Sequence, residues 1–496
     1  MLELYSMNLL KRMMDKIDTP VWLEIFFVVI ILLRIPSLFE PFYYGDEMIY
    51  LTLGEGIRRG MPLYLTLHDN KPPLIYIMAG IAGNVFLFKT LLAAFNLVAV
   101  YLFWKITVNL FPKNLNFQKV STILFGILTT IPLLEGNIAN AENFMMVPTL
   151  FAFYLVLVKE RSFRNVFFTG LLFSMAALFK IVAAFDVIGL LAFWLITSKR
   201  GDLLKFIKDT IILSVAFVLP IALTFVWYFL RGAFPEYLVA AFLQNLGYVS
   251  SWKRSGVEIP FLVKNGPILT RFAVMIIGFI ILWFLRKKIS RPYIFIVAWL
   301  LSTLFAVTLS ERPYPHYFLQ SIAPVILLLG MLFTLKNIEQ TLVIIPLTLA
   351  FFVPVYFKFW HYPTTTYYTR FVKFATKQIS KEEYFSGFSS NVPTNYQIAD
   401  FLVQSSTKDD KVFVWSNDSA AIYALSRRLP PTKYVADYHF LDFSTKEETI
   451  KQLTQNPPKF IVITANSFEF NELADFAKEK YLLINRVGSS QIYLKI

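Results

Sequence analysis

Long apolar runs broken by short charged turns dominate this chain up to residue 357, where the pattern changes. The first run covers residues 21–39 behind Lys11, Arg12 and Lys16, and no small-residue cleavage site follows it, so it reads as an uncleaved signal anchor. A charged stretch follows over residues 40–74, EPFYYGDEMIYLTLGEGIRRGMPLYLTLHDNKPPL. Further apolar runs cover 90–110, 120–134, 144–158, 166–179, 181–197, 210–230, 267–285, 293–309, 317–335 and 341–357, which with the anchor predict eleven spans. The stretch 166–197 is split at Lys180. Run 73–88 decides the topology: at 16 residues it falls short of a span and is expected to lie in the interface as a juxtamembrane helix.

Charge supports that choice. With 73–88 not crossing, the cytoplasmic loops hold Lys113 and Lys119, then Lys159, Arg161 and Arg164, then Lys199, Arg200, Lys205 and Lys208, then Arg286, Lys287, Lys288 and Arg291, and last Lys336. The outer turn 135–143 has neither Lys nor Arg, and 310–316 has only Arg312. A crossing at 73–88 would invert this bias in loop after loop. The N-terminus is therefore expected in the cytoplasm. The long outer loop 231–266, with Trp252, Lys253 and Arg254, is long enough to lie over the bundle.

Past residue 360 the period shortens. Strands are predicted at 411–415, 459–464, 481–487 and 491–496, and helices at 394–404, 418–427, 445–455 and 468–480. The expected organisation is a polytopic α-helical membrane domain, residues 1–359, and an extracytoplasmic α/β domain, residues 360–496. Neither shows an internal repeat.

Composition removes several alternatives. At 56% apolar and 16% charged residues the chain is too greasy for a soluble protein, and its 51 Phe and 25 Tyr suit a lipid-embedded bundle with interfacial belts. The absence of Cys excludes disulfides, thiolate metal sites and thiol nucleophiles. A net charge of +14 would suggest nucleic acid in a soluble protein, but here the Lys and Arg sit in short loops between spans and report topology, so no nucleic-acid partner is expected.

The ionisable groups converge on the outer face: Asp46, Glu47, His68, Asp69 and Lys71 in the first loop, Glu135 and Glu142 in the second, Arg312 and His316 in SERPYPHYF. Carboxylates on one wall and cations on another suit a sugar carried on a lipid phosphate. Its leaving group is already a stable anion, so no general acid is required; one carboxylate takes the acceptor proton and cations neutralise the departing phosphate. Asp46 fits the first role, and Lys71, Arg312 and His316 the second, Arg312 with its bidentate fork.

The GDE after the first span, HDNKPPL, the GNIANAENFMMVP turn and RPYPHYFLQ together resemble GT-C glycosyltransferases that use polyprenyl-phosphate sugars, in the style of bacterial protein O-mannosyltransferases and lipid A aminoarabinose transferases. The resemblance covers roughly the first 335 residues. It implies that Asp46 is the base, that Lys71 contacts phosphate, that Glu142 belongs to the site and that 73–88 is juxtamembrane. Aminoarabinose transferases tend to carry Arg three residues after the Asp, where this chain has Ile49, which shifts the phosphate onto Lys71, Arg312 or another cation. A divalent cation assists several members of the superfamily and is dispensable in the mannosyltransferase-like branch, so no metal is assigned.

The expected activity is thus an integral membrane, inverting glycosyl transfer from a polyprenyl phosphate to a hydroxyl acceptor, with the lipid bilayer as the third partner. Asp46 and Glu47 are the catalytic pair, Lys71, Arg312, His316 and Tyr317 hold the donor phosphate, and Glu142, His68 and Asp69 stand on the acceptor side. Plainer roles stand beside these. Asp46 and Glu47 can cap a helix, Lys71 can anchor the interface, His316 can be structural, and Glu142 can pair with Lys180. His361 and His439 are assigned no chemistry. A transporter or flippase for a lipid-linked sugar, or a membrane-anchored sensor, would use the same charges for recognition. Transporters, however, place such groups near the midplane between paired halves.

Overall fold

A computed structural model describes residues 19–245 and 260–496 of the chain. The basic N-terminal residues Lys11, Arg12 and Lys16, and Trp252, Lys253 and Arg254 of the long outer loop, lie outside the described residues.

Eight described helices are long and apolar enough to cross a bilayer: Val21–Phe39, Val85–Leu110, Ala141–Val158, Leu203–Leu230, Phe261–Leu285, Arg291–Thr308, Pro315–Thr334 and Ile338–Tyr356. The chain is a multi-pass membrane protein. Three shorter apolar helices, Leu115–Leu128, Phe163–Phe179 and Ile181–Thr197, overlap the other predicted spans, the first of them starting five residues before its expected position. The break at Lys180 is present, with extended backbone there between two helices.

The predicted segment 73–88 is not one helix. A nine-residue helix, Leu74–Ala82, ends on Gly83 in the left-handed region, and Asn84 then caps a new helix, Val85–Leu110, by accepting the Leu87 N–H at 2.9 Å. At 1.5 Å per residue, nine residues reach about 14 Å, well short of a bilayer core. The next span therefore starts five residues before the expected position 90, because the cap and not the apolar pattern sets its beginning. Likewise, Phe261–Leu285 starts inside the stretch expected to be loop.

The first outer loop folds as two helices, Gly45–Arg58 and Leu74–Ala82, packed backbone to backbone. A Cβ at Gly54 would come within 2.5 Å of the Gly80 nitrogen, so this crossing requires glycine.

Beyond residue 360 lies a four-stranded sheet, β1 (Val412–Trp415), β2 (Phe460–Ile463), β3 (Tyr481–Val487) and β4 (Ser490–Lys495), in the order β1-β2-β4-β3. β1 and β2 run parallel, and β4 is antiparallel to both β2 and β3. Strand alternation sends Val412, Val414, Phe460, Val462 and Ile492 to one face and Phe413, Trp415, Ile461 and Tyr493 to the other. The second face closes over Phe440 and Leu473 within the C-terminal part. The first face shares a core with Met48, Leu53, Tyr76 and Ala79 of the first-loop helices. Polar contacts reinforce this docking: Arg59 donates to the carbonyls of Lys408 and Arg427 at 2.6 Å each, and the His68 N–H donates to the Lys433 carbonyl at 2.7 Å.

Candidate active site at one end of the bundle

Two charge clusters meet where the first loop covers the helix ends. The first centres on Asp46, in the opening turn of Gly45–Arg58. Its side chain is 28% exposed, its Oδ2 accepts the Tyr50 hydroxyl at 3.0 Å, and Lys71 Nζ lies 3.5 Å away. Lys71 also lies 3.8 Å from Asp69 Oδ2 and 5.0 Å from the Tyr50 ring centre. Two tyrosines fix its backbone: the Tyr76 hydroxyl accepts the Lys71 N–H at 3.0 Å, and the Tyr64 hydroxyl donates to the Lys71 carbonyl at 2.7 Å. Tyr76 spends its own proton on Asp69 Oδ2 at 2.8 Å. The double proline Pro72–Pro73 then starts the helix Leu74–Ala82, so Lys71 is held in a rigid turn.

Burial alone would raise the Asp46 carboxyl, but the Lys71 ammonium first, then His316, the Tyr50 hydroxyl and Lys180, hold it below the ordinary aspartate range. Asp46 is an accessible carboxylate beside a cation.

The second cluster comes from helix ends. Glu142 lies in the first turn of Ala141–Val158, Lys180 at the break between two helices, and His316 in the first turn of Pro315–Thr334. Lys180 pairs with Glu142, His316 Nε2 stands 3.6 Å from Glu142 Oε1, and His316 Nδ1 pairs with Glu135. Lys180 also stands over the Tyr317 ring at 4.1 Å. Tyr44, two residues before Asp46, donates to Glu135 Oε2 at 2.9 Å and so ties the clusters together. The first loop and the RPYPHYF turn therefore share one end of the bundle. Arg312 sits half-buried in that turn, its N–H 3.4 Å from Ser310 Oγ.

Glu47 points elsewhere. It is 1% exposed, accepts the Ala139 N–H at 2.5 Å and meets Lys89 Nζ at 2.7 Å. Lys89 spends its other protons on Glu40 Oε2 and the Asn137 carbonyl, each at 2.8 Å. Glu40 Oε1 in turn accepts Asn137 Nδ2 at 2.7 Å and the Tyr367 hydroxyl at 2.5 Å. Burial first, opposed by Lys89 and reinforced by Glu40, lifts the Glu47 carboxyl above the ordinary glutamate range. This network joins the first loop, the second loop, the second long helix and the segment after the last span. It is a buried brace directly behind Asp46.

His68 lies under the C-terminal unit, its ring against Tyr434, Phe443 and His439. Burial first, then the neighbouring His439, lower its pKa to about 4, from 6.5 for an ordinary histidine. The folded state therefore keeps His68 neutral. Above pH 6.5 neither state is protonated and nothing is lost. As pH falls towards 4 the unfolded chain takes the proton and the folded one does not, which costs about 3 kcal/mol in full. Tryptophan fluorescence or limited proteolysis should show the C-terminal unit loosening over this window, and His68→Gln should flatten the response; an unchanged acid response in that variant would count against it.

Among the described residues no group of three or more His, Asp or Glu side chains could hold a metal ion. The donor set, with Lys71 and Lys180 between the carboxylates, suits an anionic ligand.

This architecture has a counterpart. The crystal structure of ArnT from Cupriavidus metallidurans bound to undecaprenyl phosphate matches with a TM-score of 0.57 at 13% identity, over 96% of this chain and 98% of that one. The chain has the ArnT fold. The apo form of the same ArnT gives a TM-score of 0.56 at 12% identity, with the same coverage. The ArnT likeness covers the membrane helices and extends through the C-terminal unit. Residues 394–495 also match the family model described as "Putative competence-induced protein Ccs4 C-terminal domain". No curated protein sequence matches the chain.

The buried charged network and the contacts of the first loop also include Lys89 and Glu40, to which the sequence reading gave no part, and His439, to which it gave no chemistry. Lys89 interrupts the run FLFKTLL, an in-membrane charge whose partners are invisible until the loops fold. His439 lies 370 positions from Asp69, its partner, and no local signal links them.

Proposed function

We propose that the protein is an integral membrane, inverting glycosyltransferase that moves a sugar from a polyprenyl phosphate to a hydroxyl acceptor. The observation that carries this reading is the Asp46–Lys71 pair at 3.5 Å: a partly exposed carboxylate next to an ammonium on a braced turn. The acceptor oxygen attacks the anomeric carbon, its proton passes to Asp46, and the bond to the phosphate oxygen breaks with its electron pair leaving on the phosphate. Lys71 receives the donor phosphate, with His316, Tyr317 and Arg312 on the same side. In drawing Lys71 towards itself, the phosphate relieves the cation that holds Asp46 down, and so makes Asp46 a stronger base when it is needed.

Glu142 positions Lys180, and Asp69 acts through Lys71. His68 supports the loop beneath the C-terminal unit. In this reading Glu47 takes a positioning role behind Asp46 and not one of contact with substrate, which its burial against Lys89 supports. The charged groups lie in first turns and helix breaks at one end of the bundle, which favours chemistry at a membrane face over transport through its middle. With eleven crossings and the N-terminus inside, that face is extracytoplasmic in a cell membrane, and the C-terminal unit lies there too.

Purified protein supplied with a polyprenyl-phosphate sugar and a hydroxyl acceptor should release polyprenyl phosphate; movement of the lipid without cleavage would support a flippase instead. Lys71→Ala is expected to weaken binding of the lipid phosphate by roughly tenfold to a hundredfold, the scale of a lost charge-assisted contact. Equal binding by variant and parent would remove Lys71 from the phosphate.

A further inference from the structure

Lys71 is not held by the membrane part of the chain alone. Behind it stands Asp69, 1% exposed, and behind Asp69 stands His439, 3% exposed, on the helix Asp437–Phe443 of the C-terminal unit. His439 Nε2 faces Asp69 Oδ1 at 3.5 Å, while Asp69 Oδ2 takes the Tyr76 hydroxyl at 2.8 Å and faces Lys71 Nζ at 3.8 Å. His439 Nδ1 is buried without a hydrogen-bond partner. A neutral ring protonated on Nε2 places its N–H on the side of the carboxylate, 3.5 Å away, and leaves a lone pair unmatched in place of a donor. Burial first keeps the ring below its ordinary pKa against the pull of Asp69, in agreement with the neutral form at pH 7. Ring contacts with Tyr438 at 4.4 Å, His68 at 5.7 Å and Phe443 at 6.1 Å fix the imidazole in place.

We propose that His439 is a positioning residue for the donor phosphate: by occupying Asp69 Oδ1 it limits the hold of Asp69 on Lys71 and leaves the ammonium poised between Asp46 and the incoming phosphate. Lys71 is shared between two carboxylates at 3.5 and 3.8 Å, so a small change in what else Asp69 binds decides which one it favours. Without His439 the Asp69 carboxylate has, among the described residues, only Tyr76 besides Lys71 and draws the ammonium inward, away from Asp46. The C-terminal unit is then part of the donor site. This inference rests on the reading of Lys71 as the phosphate contact.

The test is binding of polyprenyl monophosphate to the full chain in detergent, with thermal unfolding followed in parallel. His439→Ala is expected to weaken binding about tenfold, the scale of one hydrogen bond to a charged group. His439→Gln, whose amide N–H reaches the same oxygen, should stay within about threefold of the parent, a rescue that loss of packing alone would not give. Asp69→Asn should also shift affinity, and the double variant Asp69→Asn with His439→Ala should show no further change, because the two act in series. Parent-like binding by a folded His439→Ala, failure of Gln to rescue, or additive effects in the double variant would each overturn the inference. If His439→Ala does not fold, His439→Phe, which fills the space without an N–H donor, takes its place in each arm and is expected to weaken binding to the same extent. Failure of the parent to bind, or parent-like binding by Lys71→Ala, would overturn the donor-phosphate reading itself and the inference with it.

Discussion

Asp46→Asn should lose glycosyl transfer by about a thousandfold while still binding polyprenyl phosphate. The factor is that of removing a positioned general base. Asn keeps the shape and the oxygen that accepts the Tyr50 hydroxyl, so the loop helix should stay in place. Lys71, released from a carboxylate 3.5 Å away, should bind phosphate at least as well as before. The split between lost turnover and retained binding is the diagnostic result. Turnover within tenfold of the parent would remove Asp46 from the role of base, and a collapse in thermal stability would make it structural.

The second large effect is on stability. Lys89→Met should destabilise the protein by about 3–5 kcal/mol, because it leaves two carboxylates facing each other without the cation between them. The ammonium now serves Glu40, Glu47 and the Asn137 carbonyl at 2.7–2.8 Å, with no exposure to solvent. Neutralising the carboxylates as well, with Glu40→Gln and Glu47→Gln added, should restore much of the loss, since the penalty comes from uncompensated charge. Thermal unfolding in detergent reads both arms. A small effect of Lys89→Met would mean that water reaches the brace.

The long spans were legible because about 20 apolar residues in a row have one common use. The alternating strands after residue 410 were legible for the same kind of reason, and β1 to β4 fall within a residue or two of their expected limits. Helix starts were less so. Asn84 moved one by five residues, since a single side chain accepting one N–H outweighs the apolar pattern around it. In the site, Asp46 and Lys71 stood out by their neighbours GDE and HDNKPPL, and the structure brings them into contact. Glu47, adjacent to Asp46, reads as its twin in sequence but points the opposite way, because successive helical residues lie about 100° apart. Lys89 and His439 were invisible for a different reason. Their meaning depends on partners brought close only by the completed fold.

The core shared by the first-loop helices and the sheet has a consequence in time. Thr52 Oγ1 donates to the Ala420 carbonyl at 3.3 Å across a separation of 368 residues, and the apolar partners of Met48 and Leu53 sit on strands made near the end of the chain. At roughly 5–20 residues per second of synthesis, the loop waits about 20 to 75 s for its cover. Until the last strands have been made, the face formed by Met48 and Leu53 lacks its cover, and the Asp46–Lys71 pair rests on a loop that is not yet packed.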